Sequence, residues 1–210
     1  SFCGKIKSVP NFFYNKSAAK EIEQVIKKVK PDIAQIHLLF NGISLSILPI
    51  LKKYKIPVIY TVHDTRLLCP SSSIWLKGQL CRNCFKTGFI NCFNHKCYQN
   101  SRINSFMVML EMIHKEFIFN YFKFIDKYIF ISNNYMRFHE NNRTYFSKRS
   151  IVLYNFYPKL NSILPNSNKG NYLFYYGRIT EEKGIQTLVD VMNKFKNINL
   201  KIAGTGPLLD

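Results

Sequence analysis

The residues best placed to do chemistry lie in Tyr175-Tyr176-Gly177-Arg178-Ile179-Thr180-Glu181-Glu182-Lys183-Gly184. An apolar run from Tyr172 to Tyr176 ends in a glycine and an arginine, and a lysine follows five positions later. Ile185, Leu188, Val189, Met192 and Phe195 then recur at helical spacing. The pattern predicts a strand, a tight turn and a helix over 184–195, with two cations at the mouth of the turn. In parallel α/β proteins ligands bind at the carboxyl ends of strands. A helix N-terminus there favours negative charge, because its first amides lack partners and its dipole is positive. Arg178 and Lys183 added to that end suit a phosphate or diphosphate. The plainer alternative is a pair of solvated surface cations, although a lysine at a helix start opposes the dipole.

Other groups extend the inventory. Gly204-Thr205-Gly206 follows a strand-like run but lacks the third glycine of a dinucleotide fingerprint, since Pro207-Leu208-Leu209 comes next. It reads as a loop that comes close to a ligand or to a facing domain. His63-Asp64 closes another apolar run, where an α/β fold places functional groups. It could contact a substrate hydroxyl, supply a charge partner, or simply bond a backbone group. Cys81-x2-Cys84 and Cys92-x4-Cys97 put four thiols within 17 residues. Four thiolates can enclose a structural zinc, with no open position for catalysis. Cys69, His95 and His63 are spare donors, and an iron–sulfur cluster, free thiols or disulfides are the alternatives. The segment 65–99 looks irregular and short of apolar residues, so a metal would supply an ordering force.

These groups must be carried by an alternating framework. Ala18, Ile22, Val25, Ile26 and Val29 form a helical stripe over 17–29, stopped by Lys30-Pro31-Asp32. Residues 33–40 read as a buried strand, Asn41-Gly42 as a turn, and 43–55 as a helix that Pro49 kinks or starts late. A buried strand over 57–61 precedes His63. A helix is expected over 101–124, a strand over 128–132, a short helix over 134–140 and a strand over 151–154. Residues 158–170 read as a linker. Strand, helix and strand (200–203) follow. Strands alternating with helices imply parallel sheets flanked by helices. The expected organisation is a domain over 1–157 with a Cys-rich insert at 65–99, the linker, and the start of a second domain over 171–210.

The chain has 210 residues, 47% of them hydrophobic, which suffices for a sizeable core and rules out a disordered tail. The most apolar stretch, 106–125, is interrupted by Glu111, Lys115, Glu116 and Lys123, so it is expected to be an amphipathic helix and no membrane span. A helix lying on a membrane surface is the second reading of that stretch. Net charge is +18, and residues 1–169 carry 25 Lys and Arg against 8 Asp and Glu. Such a surface is drawn to anionic lipid or nucleic acid. The aromatic residues fall in core-like runs and do not interleave with Lys or Arg, which disfavours a zinc-stabilised nucleic-acid-binding protein. Both ends fall in or beside patterned elements, so the chain reads as a piece of a longer protein.

Taken together the segments resemble the family 4 glycosyltransferases, which have the GT-B fold of two Rossmann-like domains. Tyr172 to Ile185, then Leu188, then Leu200-Lys201-Ile202-Ala203-Gly204-Thr205-Gly206-Pro207 is similar to that family's strand–Gly-Arg-x4-Lys-Gly–helix–strand–Gly-x-Gly-Pro run. Pro31-Asp32-Ile33, Ile36-His37, Pro57 to Asp64, Ile129 to Ser132 and Val152 to Asn155 follow the order of its first domain. Leu67-Leu68-Cys69-Pro70 and Cys81-x2-Cys84 match a branch with a Cys-rich insert after His-Asp. The resemblance covers residues 31–210. It implies a hexosyltransferase that moves a sugar from a nucleotide-sugar to a glycan or lipid-linked acceptor, with retention and without a catalytic metal. It also implies a cytoplasmic place at the inner face of the plasma membrane. On its pattern Arg178 and Lys183 hold the donor diphosphate, His63 contacts the transferring sugar, and Gly177, Gly204 and Gly206 lie beside the nucleotide. The family's N-terminal glycine-rich loop and its Glu-x7-Glu segment have no counterpart in residues 1–210. Asn155-Phe156-Tyr157-Pro158 departs from its usual interdomain start. An impaired or inactive chain, or a non-catalytic remnant, is therefore expected of residues 1–210 alone.

Overall fold

The computed structural model describes residues 13–39, 44–156 and 170–209. It is a mixed α/β structure in two units, one comprising residues up to 74 with 81–156, the other 75–80 with 157–210. The Asn41-Gly42 turn and residues 158–169 of the expected linker lie outside the described residues.

The first unit is built on a four-stranded parallel sheet in the order β1-β2-β5-β6, with β1 Ala34–His37, β2 Val58–Val62, β5 Lys127–Phe130 and β6 Ser150–Val152. This is the parallel sheet that the alternating pattern predicts, and it is consistent with a Rossmann-like unit. β2 is central, and Val58, Tyr60 and Val62 are buried. Asp126 anchors it to β5: its carboxylate accepts the Val58 amide at 2.8 Å and its own amide reaches the Val58 carbonyl at 2.9 Å. β1 is shorter than the apolar run suggests. It has β2 as its sole partner among the described strands, and its residues alternate between faces: Ile36 is buried, whereas Gln35 and His37 face solvent.

Helix α1, Lys16–Val29, begins where the Asn15 side chain accepts the Ala18 amide, and ends at Lys30 in the left-handed conformation. Ala19 and Ile26 are its buried residues. Val25 and Val29, counted in the stripe from sequence, stay exposed. Helix α2, Ile47–Lys53, starts late, and Pro49 therefore falls in its first turn, where a missing amide leaves no bond unmade. The helix expected over 101–124 is broken. α5, Arg102–Ile113, passes into a π-turn at His114–Ile118, and Asn120 in the left-handed region ends the run before a 3-10 turn at Tyr121–Phe124. Among the described residues no helix is long and apolar enough to cross a membrane.

Segment 65–99 is more ordered than its sequence indicates. It holds a two-stranded ribbon (β3 Trp75–Leu76, β4 Gln79–Leu80) and two short helices, α3 Asn83–Thr87 and α4 Ile90–Asn94. Cys84, Phe89 and Cys92 pack with Val108, Met109 and Met112 of α5 into a second small core, with Phe93, Cys97 and Tyr98 at its edge. The expectation that this segment lacks apolar material fails. Its aromatic residues and its own thiols supply a core, but each helix is too short to show a periodic stripe.

Helix α6, Asn133–Glu140, carries a histidine with a measurable consequence. His139 is fully buried, among Phe130, Tyr135, Phe138 and Phe146. Its Nδ1 donates to the Tyr135 carbonyl at 2.9 Å, and Nε2 has no partner among the described residues. Burial pulls its pKa down to about 4. The folded chain thus leaves His139 neutral until about pH 4, whereas the unfolded chain takes up its proton near 6.5. Stability is expected to fall as pH drops through that window, by about 3 kcal/mol from this group. Urea midpoints compared at pH 7 and pH 4.5 should show the loss, and His139→Phe should reduce it.

The second unit pairs β7, Tyr172–Tyr176, in parallel with β8, Asn199–Ala203, in the register Tyr175↔Ile202. Helix α7, Ile185–Met192, connects them and buries Ile185 and Met192.

Candidate functional site

The Gly177–Gly184 pattern forms a defined turn. β7 ends at Tyr176, and Gly177 follows with φ 152°, held by the Tyr175 hydroxyl, which donates across the turn to the Arg178 carbonyl at 2.9 Å. Arg178 comes next, exposed. Ile179 and Thr180 turn inward, a 3-10 turn spans Glu181–Lys183, and α7 starts at Ile185. No side chain caps that helix. Neither Arg178 nor Lys183 has a side-chain hydrogen bond or ion pair among the described residues. Two unpaired cations therefore stand at an uncapped helix N-terminus beyond the carboxyl end of a parallel strand. Glu181 and Glu182 lie exposed in the same turn and balance the two cations in formal charge.

The Gly-x-Gly run acquires a cause that its sequence hid. The β7–β8 ladder continues past both strands: Gly177 donates to Ala203 at 3.0 Å and Ile179 to Thr205 at 2.9 Å. A Cβ at Gly204 would strike the Gly177 carbonyl, and one at Gly206 the Ile179 carbonyl. What comes close at these glycines is the turn that carries Arg178, so they set its position. A cavity of about 220 Å3 lies beside them, lined by Ile179, Ile185, Val189 and Gly204 among others.

In the first unit His63 lies just past β2, exposed, and Asp64 follows. Asp64 has a local duty, because its carboxylate accepts the Arg66 amide at 2.9 Å and caps the 3-10 turn Thr65–Leu67. The partner of His63 is one that the motif did not reveal. His37, at the end of the neighbouring strand, places Nδ1 2.7 Å from His63 Nε2, with the rings stacked at 5.0 Å. Behind the His63 loop sits a buried ionic cluster. Arg66 pairs with Glu111 at 2.9 Å, and Lys115 pairs with the same carboxylate. All three side chains are about 5% exposed or less. Burial draws the Lys115 pKa down to about 8, against the pull of Glu111. Sequence marks Glu111 and Lys115 as an i,i+4 pair but gives no sign of Arg66.

The cysteines gather, and Cys69 joins them. Cys84 and Cys92 are buried, Cys81 and Cys97 half-buried, and all are free thiols. Burial first, then the neighbouring Cys69, Cys97 and Cys81 sulfurs, push the Cys84 thiol up to about 12. Cys92 hydrogen-bonds Cys97, which raises its own value and draws Cys97 down to about 7. As the side chains stand, no three His, Cys, Asp or Glu among the described residues close into a metal-holding group. A second cavity, of about 580 Å3, opens beside Cys84, Phe89, Phe117 and the Glu116–Arg143 ion pair.

No protein-family model matches the chain. It is similar to a protein of Klebsiella pneumoniae described as an uncharacterized 42.6 kDa protein in cps region, with 31% identity over 186 residues. That stretch is 87% of this chain and 43% of the relative, so the chain spans less than half the length of the curated protein it matches.

Proposed function

We propose that the chain is part of a GT-B glycosyltransferase. It would move a hexose from a nucleotide-sugar to a glycan or lipid-linked acceptor in surface polysaccharide or glycolipid synthesis, with retention. The observation that carries this reading is the Gly177–Ile185 turn, with Arg178 and Lys183 unpaired ahead of an uncapped helix. Negative charge grows on the departing diphosphate as the glycosidic bond breaks. Fixed cations and free amides lower that barrier most because they need no reorganisation. Gly177, Gly204 and Gly206 seat the turn, and His63 offers a ring nitrogen to the sugar. A relative in a cps region is compatible with polysaccharide synthesis. The cationic surface fits an anionic membrane as partner, at the cytoplasmic face where nucleotide-sugars are made. The test is transfer by the full-length protein from a panel of labelled nucleotide-sugars to membrane lipid extract. Incorporation from one donor supports the reading, and none from any donor sinks it.

A structural zinc held by Cys81, Cys84, Cys92 and Cys97 belongs to the same reading. The donor set is the soft, closed kind that zinc takes, and Cys84 lies within electrostatic reach of Cys81 and Cys97, as Cys92 does of Cys84 and Cys97. Zinc would deprotonate all four, and its charge would offset the cost of burying the thiolates. Protein purified under reducing conditions should hold about one zinc per chain, lost in Cys84→Ser. Metal analysis that finds none overturns the assignment.

A further inference from the structure

We infer that His37 is a positioning residue that fixes which ring nitrogen His63 presents to a ligand. The inference rests on the reading that His63 faces the sugar. Side chains alternate along a strand, so Gln35 and His37 share one face of β1, and Thr61 in β2 and His63 just past it share the matching face. The parallel register sets Gln35 against Ile59 and His37 against Thr61. The two diagonals are therefore Gln35–Thr61 and His37–His63. Both are bonded: Gln35 Nε2 donates to Thr61 Oγ1 at 3.1 Å, and the histidine nitrogens lie 2.7 Å apart. The same offset repeated along the strands shows that backbone register creates the contact.

A 2.7 Å approach of two imidazole nitrogens requires one to donate and the other to accept. If His63 Nε2 donates, its Nδ1 is an acceptor; if Nε2 accepts, Nδ1 carries the proton and is a donor. One bond from His37 thus decides what His63 Nδ1 can offer a hydroxyl group. The adjacent carboxylate does not compete for this role, because Asp64 caps the turn at Arg66. Both residues are exposed, and among the described residues His63 Nδ1 has no hydrogen-bond partner.

Long-range proton–nitrogen NMR of the imidazoles reads this directly, since the chain has five histidines and His63→Gln assigns the signal. In the native chain His63 should show one neutral tautomer. His37→Leu should return it to a mixture. His37→Asn keeps a polar atom near the Nδ1 position and should preserve the single form. The buried His139 signals report whether each variant is folded. A His63 spectrum unchanged in His37→Leu overturns the inference, as does an equal change in both variants. In the full-length enzyme His37→Leu should cut kcat/KM by up to about a hundredfold, with His37→Asn recovering most of it. The NMR readout needs no substrate. Full transfer by a His63→Ala enzyme would sink the sugar contact while leaving the histidine pair standing.

Discussion

Replacing Glu111 with alanine is expected to destabilise the first unit by roughly 3 to 5 kcal/mol, enough to lower its thermal midpoint by about 10 °C or more. The reason is what remains. Arg66 and Lys115 both bond that one carboxylate, at 4% to 5% side-chain exposure, and without it two buried like charges lose the ion pair they share. The loss far exceeds that of an exposed pair, for which about 1 kcal/mol is the usual ceiling. The pH dependence identifies the mechanism. Folded Lys115 has a pKa near 8, against about 10.4 when unfolded. Between those values the unfolded chain binds the extra proton, so stability rises with pH through the window. Below pH 8 the full cost of the buried ammonium is present. Removing Glu111 takes away the group that holds the value up, so the variant should begin its recovery at lower pH than the native chain. Thermal midpoints from pH 6 to pH 10 check this. A variant as stable as the native chain, or one whose deficit grows with pH, would show that the cluster is solvated in solution.

That cluster also marks the limit of what the sequence could say. Elements with strong local signals were legible: β2 and its His63 end, β7 and the Gly177-Arg178 turn, and the start of α7. Each is a continuous apolar run closed by turn chemistry, and local sequence suffices to place it. Contacts that depend on register or distance were not. His37 meets His63 across 26 residues, and Arg66 meets Glu111 across 45. No spacing rule spans such gaps. The Cys-rich segment misled for a different reason. Phe85 and Phe93 lie in helices of five residues, too short to show a periodic stripe, and Phe89 and Tyr98 lie outside both. Gly204 and Gly206 were identified as close-approach positions, but the approaching group is the chain's own turn. Their conformational requirement and the placement of Arg178 are therefore one fact.

On the proposed function, Arg178→Ala in the full-length protein is expected to lower the rate of sugar transfer by about 100- to 1000-fold, the loss typical when one fixed charge-stabilising donor is removed from a reacting anion. The thermal midpoint should not move, because the Arg178 side chain is exposed and has no partner among the described residues to lose. That separation of activity from stability distinguishes a diphosphate clamp from a solvated surface cation, which would leave both unchanged. Lys183→Ala should act in the same direction, and the double variant should lose less than the product of the two if both cations meet one diphosphate. Arg178→Lys should recover only part of the rate, since an ammonium cannot offer two parallel donors to adjacent phosphate oxygens. Binding of inorganic pyrophosphate to the chain itself, followed by NMR shifts of the Gly177–Ile185 amides, checks the assignment without turnover. Shifts confined to that turn and weakened by Arg178→Ala fit the clamp. Native turnover in both single variants would remove Arg178 and Lys183 from the reaction, because no other cation lies between Gly177 and Ile185 to take their place.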